Sequence, residues 1–353
     1  MSFGEIIIDW YHKNKRDLPW RRTTDPYKIW LSEIILQQTR VEQGMAYYKR
    51  FVSAFPNVKK LATANESEVL KLWQGLGYYS RARNLHHAAK DVTKRFKGNF
   101  PVEYKDILSL KGIGEYTAAA ISSFAFKQRY AVVDGNVFRV MSRYLGIKTA
   151  VNSSQAKKEF YDGAMELMSG QSPEIFNQAI MEFGALQCKP ANPSCEICPL
   201  ARSCYAYSKK MVGVLPVKDK KAKARSRYFN YLLIHNNGRV RLRKRTGNDI
   251  WKNMYDFPLI ETKGKTSAKK LMEHEDWKKY FSEGKFQLVS ESKMIKHQLT
   301  HQTIFAKFFK VDTKAVIRGS GIKSVPRNQV GKYAVPRLIE NYINSSEWAG
   351  ENG

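Results

Sequence analysis

Four cysteines lie in one short window of this 353-residue chain, and the sequence contains no others: Cys188, Cys195, Cys198 and Cys204. In a reducing compartment, such a cluster is typical of metal ligation rather than of disulfide bonds. Four thiolates suit either a zinc ion or an iron-sulfur centre. The segment must therefore fold so that four side chains surround one group.

The composition predicts two domains and a nucleic-acid partner. A chain of 353 residues with 43% hydrophobic residues is long enough to bury substantial cores. Its 60 lysines and arginines outnumber its 32 aspartates and glutamates, and the net charge of +28 attracts polyanions. The alternative is that this charge only keeps a soluble protein dispersed. Because we find no apolar run of about 18 residues and no signal-peptide pattern, we expect a cytoplasmic or nucleoid location without a membrane partner.

The first half of the chain carries a helical pattern. Apolar residues recur at helical spacing from Gly4 to about Leu200, which predicts a nearly all-helical domain. Asp25 and Pro26 suit a helix start, with the aspartate as cap and the proline in the first turn. We expect this helix to run to about Arg40 and to include Glu33.

The surroundings of Glu33 are apolar in sequence, because Trp30, Leu31, Ile34 and Ile35 flank it. A carboxyl group that projects among such residues is poorly solvated, so its pKa rises and it can hold a proton near neutral pH. The alternative is a glutamate on the solvent face of an amphipathic helix, which is the commoner situation for a lone glutamate.

The second half of the chain is predicted to form an α+β domain. The segment 218–227 has six basic residues in ten and no apolar period, so it predicts an exposed linker. Residues 228–235 suit a strand, and Asn237 with Gly238 suits a hairpin turn before a second strand. The remaining candidates are strands at 286–290 and 304–311 and helical patterns at 267–280 and 336–344.

Two motifs in the helical half carry chemistry. Gly112 and Gly114 allow a tight turn whose N–H groups point outward at a helix start, which suits a phosphate oxygen. An ordinary turn between helices is the alternative. Asp134, followed by Gly135 and Asn136, precedes another helical pattern, where an aspartate is commonly a simple cap.

Taken together, these motifs resemble the helix-hairpin-helix, glycine and aspartate signature of the endonuclease III superfamily of DNA glycosylases. The resemblance is carried by segments 111–114 and 133–137, and it implies that the hairpin grips the DNA backbone while Asp134 lies near the sugar. It also identifies the C-x6-C-x2-C-x5-C spacing of segment 188–204 with the [4Fe-4S] loop of this superfamily. A zinc ribbon would pair two C-x2-C knuckles, and this chain has one, between Cys195 and Cys198.

Segments 30–39 and 75–85 further resemble the MutY adenine glycosylase branch. The resemblance implies that Glu33 is the general acid that protonates adenine at N7, and that Asp134 stays ionised and stabilises the oxocarbenium-like sugar. It assigns supporting catalytic roles to Tyr116 and Asn136. In members that also cut the strand, a lysine occupies the position of Tyr116, so a monofunctional enzyme with water as the final nucleophile is expected.

The same resemblance implies three DNA contacts. Gln38 and Tyr78 would enter the duplex around the mispair, and Gln178 would contact adenine in its pocket. Without the family match, Tyr78 could equally be a core residue and Gln38 a helix-surface amide.

The C-terminal domain resembles the Nudix-like domain of MutY-type enzymes, through segment 251–258. No Arg-Glu-x-x-Glu-Glu metal box follows it, so nucleotide pyrophosphatase activity is not expected. Leu299, Thr300 and His301 occupy the place of a Phe-Ser-His loop that contacts the oxidised guanine, and Thr300 and His301 can still hydrogen-bond it. The alternative is a surface strand on which His297 and His301 are two ordinary histidines.

The sequence thus predicts a mostly α helix-hairpin-helix glycosylase domain over 1–209, with a [4Fe-4S] loop at 188–204. A basic linker at 210–227, an α+β Nudix-like domain at 228–346 and a tail at 347–353 follow. The expected function is excision of adenine opposite 8-oxoguanine or guanine by a monomer acting on double-stranded DNA with an adenine mispair. The alternatives are a non-catalytic damage sensor, an endonuclease III-like lyase and a glycosylase for other mispairs.

Overall fold

The structure of the protein is a computed structural model that describes residues 1–219, 224–281, 286–314 and 321–349. The chain forms two compact units, Met1–Thr63 with Asn84–Lys221 and Ala64–Arg83 with Ala222–Gly353. None of the helices in these described ranges is long and apolar enough to cross a membrane.

The boundaries of the units differ from the contiguous ranges expected from the sequence. Residues 64–83 pack with the second unit, because polar side chains of this segment bond to it: Gln74 Nε2 donates to Glu340 Oε1 at 2.7 Å, and Glu66 Oε1 accepts from Asn253 Nδ2 at 2.6 Å. Of the expected linker and tail, residues 220–223 and 350–353 lie outside the described residues. The last three linker residues already belong to a strand that begins at Arg225.

The segment up to residue 219 is helical, as predicted. Its helices are α1 (Phe3–Asn14), α2 (Pro26–Leu36), α3 (Val41–Ala54), α4 (Val58–Thr63), α5 (Glu66–Leu72), α6 (Ser80–Arg95), α7 (Tyr104–Ser109), α8 (Glu115–Phe126), α9 (Gly135–Leu145), α10 (Ser154–Leu167), α11 (Pro173–Leu186) and α12 (Tyr205–Ser208). Apolar faces of α1, α9, α10 and α11 share one core that includes Ile7, Phe160 and Phe183. This core holds the start of α9 in place beside α11.

Helix α2 begins as predicted and ends earlier than expected. Asp25 is its N-cap and accepts from the backbone N–H of Tyr27 at 2.9 Å, with Pro26 in the first turn. The predicted end at Arg40 is wrong, since the helix ends at Leu36. Gln37, the C-cap, leaves the helical region with ψ 113°, and Gln38 then adopts a left-handed conformation with φ 55°, so the chain turns away from the helix here.

The predicted hairpin joins α7 to α8. Gly112 has φ +81°, and a Cβ there would lie 2.6 Å from Cβ of Asn84, so this position requires glycine. Gly114 is the N-cap of α8 in an extended conformation, and the space around its Cα is open. Both glycines are exposed, so the start of α8 faces outward.

The second unit is built on a mixed sheet. Its strands are β1 (Arg225–Asn236), β2 (Arg239–Lys244), β3 (Tyr255–Asp256), β4 (Leu259–Thr262), β5 (Phe286–Glu291), β6 (Ile295–Gln298), β7 (Gln302–Thr313) and β8 (Ile322–Pro326). β1 and β7 run parallel from Arg225 opposite Gln302 to His235 opposite Asp312. β1 also pairs antiparallel with β2 and β4, β2 with β3 and β8, and β7 with β5 and β6.

The turn between β1 and β2 is the predicted two-residue hairpin. Asn236 pairs with Arg239, and both Asn237 and Gly238 have positive φ, 48° and 70°. This is the geometry that Asn-Gly favours at a type I′ turn.

Helices cover both faces of this sheet. On one face, Phe309 packs with Trp277 and Phe281 around α13 (Ala268–Met272) and α14 (Glu275–Tyr280). On the other face, Phe308 stacks on Tyr342 of α15 (Arg337–Ile343), with the ring centroids 3.7 Å apart. A last short helix, α16, spans Ser346–Ala349.

The single helical pattern expected at 267–280 is two helices. His274 is extended and caps α14 by accepting from the backbone N–H of Asp276. Because this side chain starts a new helix, α13 and α14 cannot form one continuous element.

Candidate active site

A cavity of about 420 Å³ lies in the first unit, within the usual size range of small-molecule sites. Side chains from α2, α8, α9 and α11 line it. It brings together all four predicted catalytic residues and two of the predicted DNA contacts: Glu33, Tyr116, Asp134, Asn136, Gln38 and Gln178.

Glu33 is a strongly perturbed carboxyl group of this cavity. It lies on the buried face of α2 and is 7% exposed. Burial raises its pKa from the ordinary 4.5 to about 7, and the nearby Asp134 adds to this rise. The hydroxyl of Tyr116 donates to Oε2 of Glu33 at 2.7 Å and acts in the opposite direction, as does Arg21. The desolvation expected for Glu33 is confirmed.

Asp134 is the N-cap of α9, with its carboxylate directed at the start of the helix. Its Oδ1 accepts from the backbone N–H groups of Asn136 and Val137, both at 2.8 Å, and its Oδ2 accepts from Nδ2 of Asn136 at 2.7 Å. Burial raises the pKa of Asp134, while these three donors and Arg139 lower it. Since all three N–H groups donate, the geometry suits the ionised form.

Arg139 fixes the orientation of the Asn136 side chain. Its Nη2 donates to Oδ1 of Asn136 at 2.9 Å, so the amide nitrogen must face Asp134. The same guanidinium donates to the backbone oxygens of Gly184 at 2.6 Å and Cys188 at 2.7 Å. The start of α9 is thereby linked by hydrogen bonds to the backbone of the first cysteine.

Three further charged residues line the cavity and were not predicted from the sequence: Arg16, Arg21 and Glu182. Glu182 on α11 is fully buried, and it accepts from Arg16 and Arg21 at 2.7 Å each. These ion pairs lower the pKa of Glu182 to about 2, although burial raises it. Glu182 lies four residues after Gln178, which places both on the same face of a helix. This spacing could have predicted that Glu182 lines the cavity.

The side chain of Gln178 is hydrogen-bonded to a residue that was not predicted from the sequence. The hydroxyl of Tyr11, on α1, donates to Oε1 of Gln178 at 2.6 Å. Gln178 lines the cavity, whereas Tyr11 does not. The two residues are 167 positions apart in the chain, so no local sequence pattern could have predicted this hydrogen bond.

The predicted backbone contacts lie outside this cavity. Gly112 and Gly114 are exposed at the start of α8, whereas Tyr116, two residues later on the same helix, points into the cavity. One helix start thus has an outward-facing backbone and an inward-facing phenol.

A second cavity, of about 490 Å³, lies within the second unit. It is lined by Tyr78 and by the whole predicted lesion loop, Leu299, Thr300 and His301. The hydroxyls of Tyr78 and Thr300 are hydrogen-bonded to each other. Tyr78 has φ 48° and its side chain is 45% exposed, so it is not the core residue of the alternative interpretation.

The four cysteines line one apolar pocket, together with Val140, Phe183 and Leu200. Nη1 of Arg143 lies 3.4 Å from Sγ of Cys188. Among the residues that the structure describes, no three His, Cys, Asp or Glu side chains form a ligand set for one metal ion. A single zinc ion requires four sulfurs at about 2.3 Å, whereas a [4Fe-4S] cluster binds each thiolate to a different iron and spreads the sulfurs apart. Four thiol side chains that line one apolar pocket supply the number and type of ligand that a [4Fe-4S] cluster takes.

Comparison with known proteins defines the class of each unit. Residues 31–164 match the HhH-GPD superfamily of base excision DNA repair proteins, and residues 230–345 match the NUDIX domain. The solved structure of a thermostable thymine-DNA glycosylase superposes with a TM-score of 0.55 at 33% identity, covering 59% of this chain and 95% of that one. A trapped endonuclease III–DNA covalent intermediate gives 0.52 at 20% identity, covering 59% and 95% of the two chains, which supports the fold alone. The fold is that of a helix-hairpin-helix DNA glycosylase, an enzyme acting on N-glycosyl bonds.

A curated relative defines the branch. The adenine DNA glycosylase of Buchnera aphidicola subsp. Schizaphis graminum is 37% identical over 265 residues, which are 75% of this chain and 76% of the relative. The chain belongs to the adenine DNA glycosylase family.

Proposed function

We propose that this enzyme excises adenine mispaired with 8-oxoguanine or guanine from double-stranded DNA, leaves an abasic site and does not cut the strand. The observation that carries the proposal is the pairing of two carboxyl groups in one cavity. Glu33 is buried, bonded to Tyr116 and has a pKa of about 7, and Asp134 lies in the same cavity with three N–H donors.

Glu33 is the general acid of the proposal. Adenine is a poor leaving group until its ring is protonated, so an acid must deliver a proton as the glycosidic bond breaks. A group with a pKa near 7 combines a usable protonated fraction with a sufficient tendency to transfer the proton. Tyr116 orients the carboxyl by its 2.7 Å hydrogen bond to Oε2.

Asp134 is the anion that faces the sugar. Because each carboxylate disfavours ionisation of the other, one proton is held by the more buried Glu33, and Asp134 remains charged. As the bond to adenine breaks, positive charge develops on the sugar, and a fixed carboxylate stabilises it or bonds transiently to the anomeric carbon. Water then completes the hydrolysis.

The residues around the cavity support the proposed absence of strand cleavage. Tyr116 replaces the lysine of bifunctional relatives, and no lysine is among the described residues that line the cavity. Its two cations, Arg16 and Arg21, are guanidinium groups held by Glu182. Guanidinium stays protonated in proteins and cannot form a Schiff base.

The exposed residues supply the proposed DNA contacts. The backbone N–H groups at Gly112 and Gly114 would receive a phosphate at the start of α8. Gln38 and Tyr78, both exposed and both in left-handed conformations, would enter the duplex around the extruded adenine.

We assign recognition of the guanine opposite adenine to the second cavity. Thr300 and His301 are exposed there and offer a hydroxyl and an imidazole to the damaged guanine. Tyr78 is already hydrogen-bonded to Thr300, so the residue that enters the duplex and the lesion loop are connected within one unit. This assigns lesion recognition to the Nudix-like domain, residues 228–346, together with segment 64–83.

A [4Fe-4S] cluster is the proposed cofactor, held by Cys188, Cys195, Cys198 and Cys204. Burial raises the pKa of Cys198 to about 11, so a thiolate at that position needs the positive charge of iron. When bound, the cluster would fix the loop after α11, since base removal requires no electron transfer.

The test uses duplexes with adenine opposite 8-oxoguanine, adenine opposite guanine, and oxidised pyrimidines, each incubated and then treated with or without alkali. We expect cleavage at adenine, and only after alkali. Glu33→Gln should lose this activity, while Glu159→Gln, which changes an exposed glutamate on α10 of the same unit, should keep it. Cleavage confined to pyrimidine lesions would contradict the substrate assignment, and cleavage without alkali would contradict the monofunctional assignment.

A further inference from the structure

The hydrogen bond between Tyr11 and Gln178 connects a buried helix to the catalytic cavity. Tyr11 is 5% exposed and lies in the core formed by α1 and α11. Its hydroxyl reaches the half-buried Gln178, whose side chain lines the cavity. Tyr11 therefore cannot touch a base in the cavity, although it touches a residue that can.

The bond matters because a glutamine amide has two ends of similar shape and opposite function. The oxygen accepts hydrogen bonds and the nitrogen donates them. If the amide rotates by half a turn, a donor facing a bound base becomes an acceptor. An unconstrained glutamine would populate both orientations and offer each to the base for part of the time.

Two cations favour the hydroxyl of Tyr11 as the donor in this bond. Lys15 Nζ lies 5.3 Å and the Arg21 guanidinium carbon 5.7 Å from the centre of its ring. Positive charge beside a phenol strengthens donation by its O–H and weakens acceptance by its oxygen. Burial also raises the pKa of Tyr11, so the proton that it donates is retained.

The position of Arg21 is itself fixed by an ion pair. Arg21 is bonded to the buried carboxylate of Glu182 at 2.7 Å, one helical turn from Gln178 on α11. Among the described residues, the Gln178 side chain is hydrogen-bonded to the hydroxyl of Tyr11. Because the amide oxygen of Gln178 is bonded to Tyr11, which does not line the cavity, the amide nitrogen is the group left to bond to a base in the cavity.

We propose that Tyr11 is a positioning residue that sets the donor end of Gln178 toward the target base, where it bonds to an acceptor nitrogen of the purine ring. This inference rests on the proposed excision of adenine. Tyr11 contributes nothing to the chemistry directly, so its whole effect on excision passes through Gln178.

The experiment is a double-mutant cycle on the full-length protein, read out as single-turnover excision of adenine opposite 8-oxoguanine. Tyr11→Phe removes the hydroxyl and keeps the ring, and Gln178→Ala removes the amide. We expect Tyr11→Phe to lower the rate about fivefold in the wild-type background, the factor that corresponds to one ordinary hydrogen bond. In the Gln178→Ala background, we expect it to change the rate by less than about twofold.

The matched control is Tyr27→Phe. Tyr27 lies in the same unit, is also buried, and its hydroxyl donates to the backbone oxygen of Phe55 at 2.6 Å without lining the cavity. Both phenylalanine variants lose one buried tyrosine hydrogen bond, so their melting temperatures should fall by similar amounts. Only Tyr11→Phe should show a rate effect that depends on Gln178.

The outcomes are separable. A wild-type protein that does not excise adenine contradicts the proposed function. An active wild type in which Tyr11→Phe has no effect, or has the same effect with and without Gln178, contradicts the positioning role alone. Loss of the Tyr11 effect in the Gln178→Ala background supports it, because a purely structural defect would lower both rates equally.

Discussion

Glu33→Gln should make the protein more stable while it abolishes excision, and the gain in stability should depend on pH. The carboxyl of Glu33 has an ordinary pKa of 4.5 when unfolded and about 7 when folded. Since one pKa unit corresponds to about 1.4 kcal/mol, ionising Glu33 in the folded protein costs about 3 kcal/mol more than in the unfolded chain.

The sign of the effect follows from where each state binds the proton. Below pH 4.5, Glu33 is protonated in both states and imposes no penalty. Between pH 4.5 and about 7, the unfolded chain ionises first, so the free energy of unfolding of the wild type falls as pH rises. Above about pH 7, Glu33 is ionised in both states, and its ionisation lowers the free energy of unfolding no further. Glutamine does not titrate, so the variant avoids the loss.

The assay is urea denaturation followed by helical circular dichroism, for both proteins, at about pH 5 and about pH 8. The advantage of Glu33→Gln in free energy of unfolding should be about 2–3 kcal/mol larger at the higher pH. Effects of the substitution that do not depend on pH cancel in this difference. Glu159→Gln, at an exposed position on α10, is the control and should show no such difference. An equal advantage of Glu33→Gln at both pH values would refute the reasoning.

Four further results are expected. Tyr116→Phe removes a hydrogen bond that lowers the pKa of Glu33, so the alkaline limb of the pH–rate profile should move up by about one unit; an unmoved limb would count against Glu33 as the acid. Asp134→Asn should reduce single-turnover excision at least about a hundredfold and keep mispair binding in a gel-shift assay, so a near wild-type rate would contradict its role. Cys198→Ser should lower iron and sulfide per chain and the visible absorbance; unchanged iron would exclude this residue as a ligand. Thr300→Ala should reduce the preference for 8-oxoguanine over guanine about fivefold, whereas equal losses on both duplexes would remove it from lesion discrimination.

Features that depend on neighbouring residues were predictable. The cap of α2 at Asp25 and the two-residue turn at Asn237-Gly238 follow from local backbone preferences, and the structure contains both. The glycine at position 112 was identified for the same reason, since positive φ excludes most other residues.

Boundaries that depend on single residues were less predictable. The end of α2 at Leu36 depends on the non-helical backbone of Gln37 and the left-handed conformation of Gln38, which an apolar pattern does not encode. The break between α13 and α14 depends on His274, which acts as a cap through its ring nitrogen. The association of segment 64–83 with the second unit depends on side chains far apart in sequence.

The sequence by itself determined which groups are available: a carboxyl among apolar neighbours at Glu33, an aspartate cap at Asp134, and four cysteines in one loop. Each is a local property, set by adjacent residues and their spacing. Only the tertiary structure decided what these groups meet. It joins Tyr116 to Glu33 across 83 residues and Tyr11 to Gln178 across 167. Burial, which raises the pKa of Glu33 to about 7, comes from helices distant along the chain. Desolvation and hydrogen-bond direction are properties of that packing, and no local pattern of residues contains them.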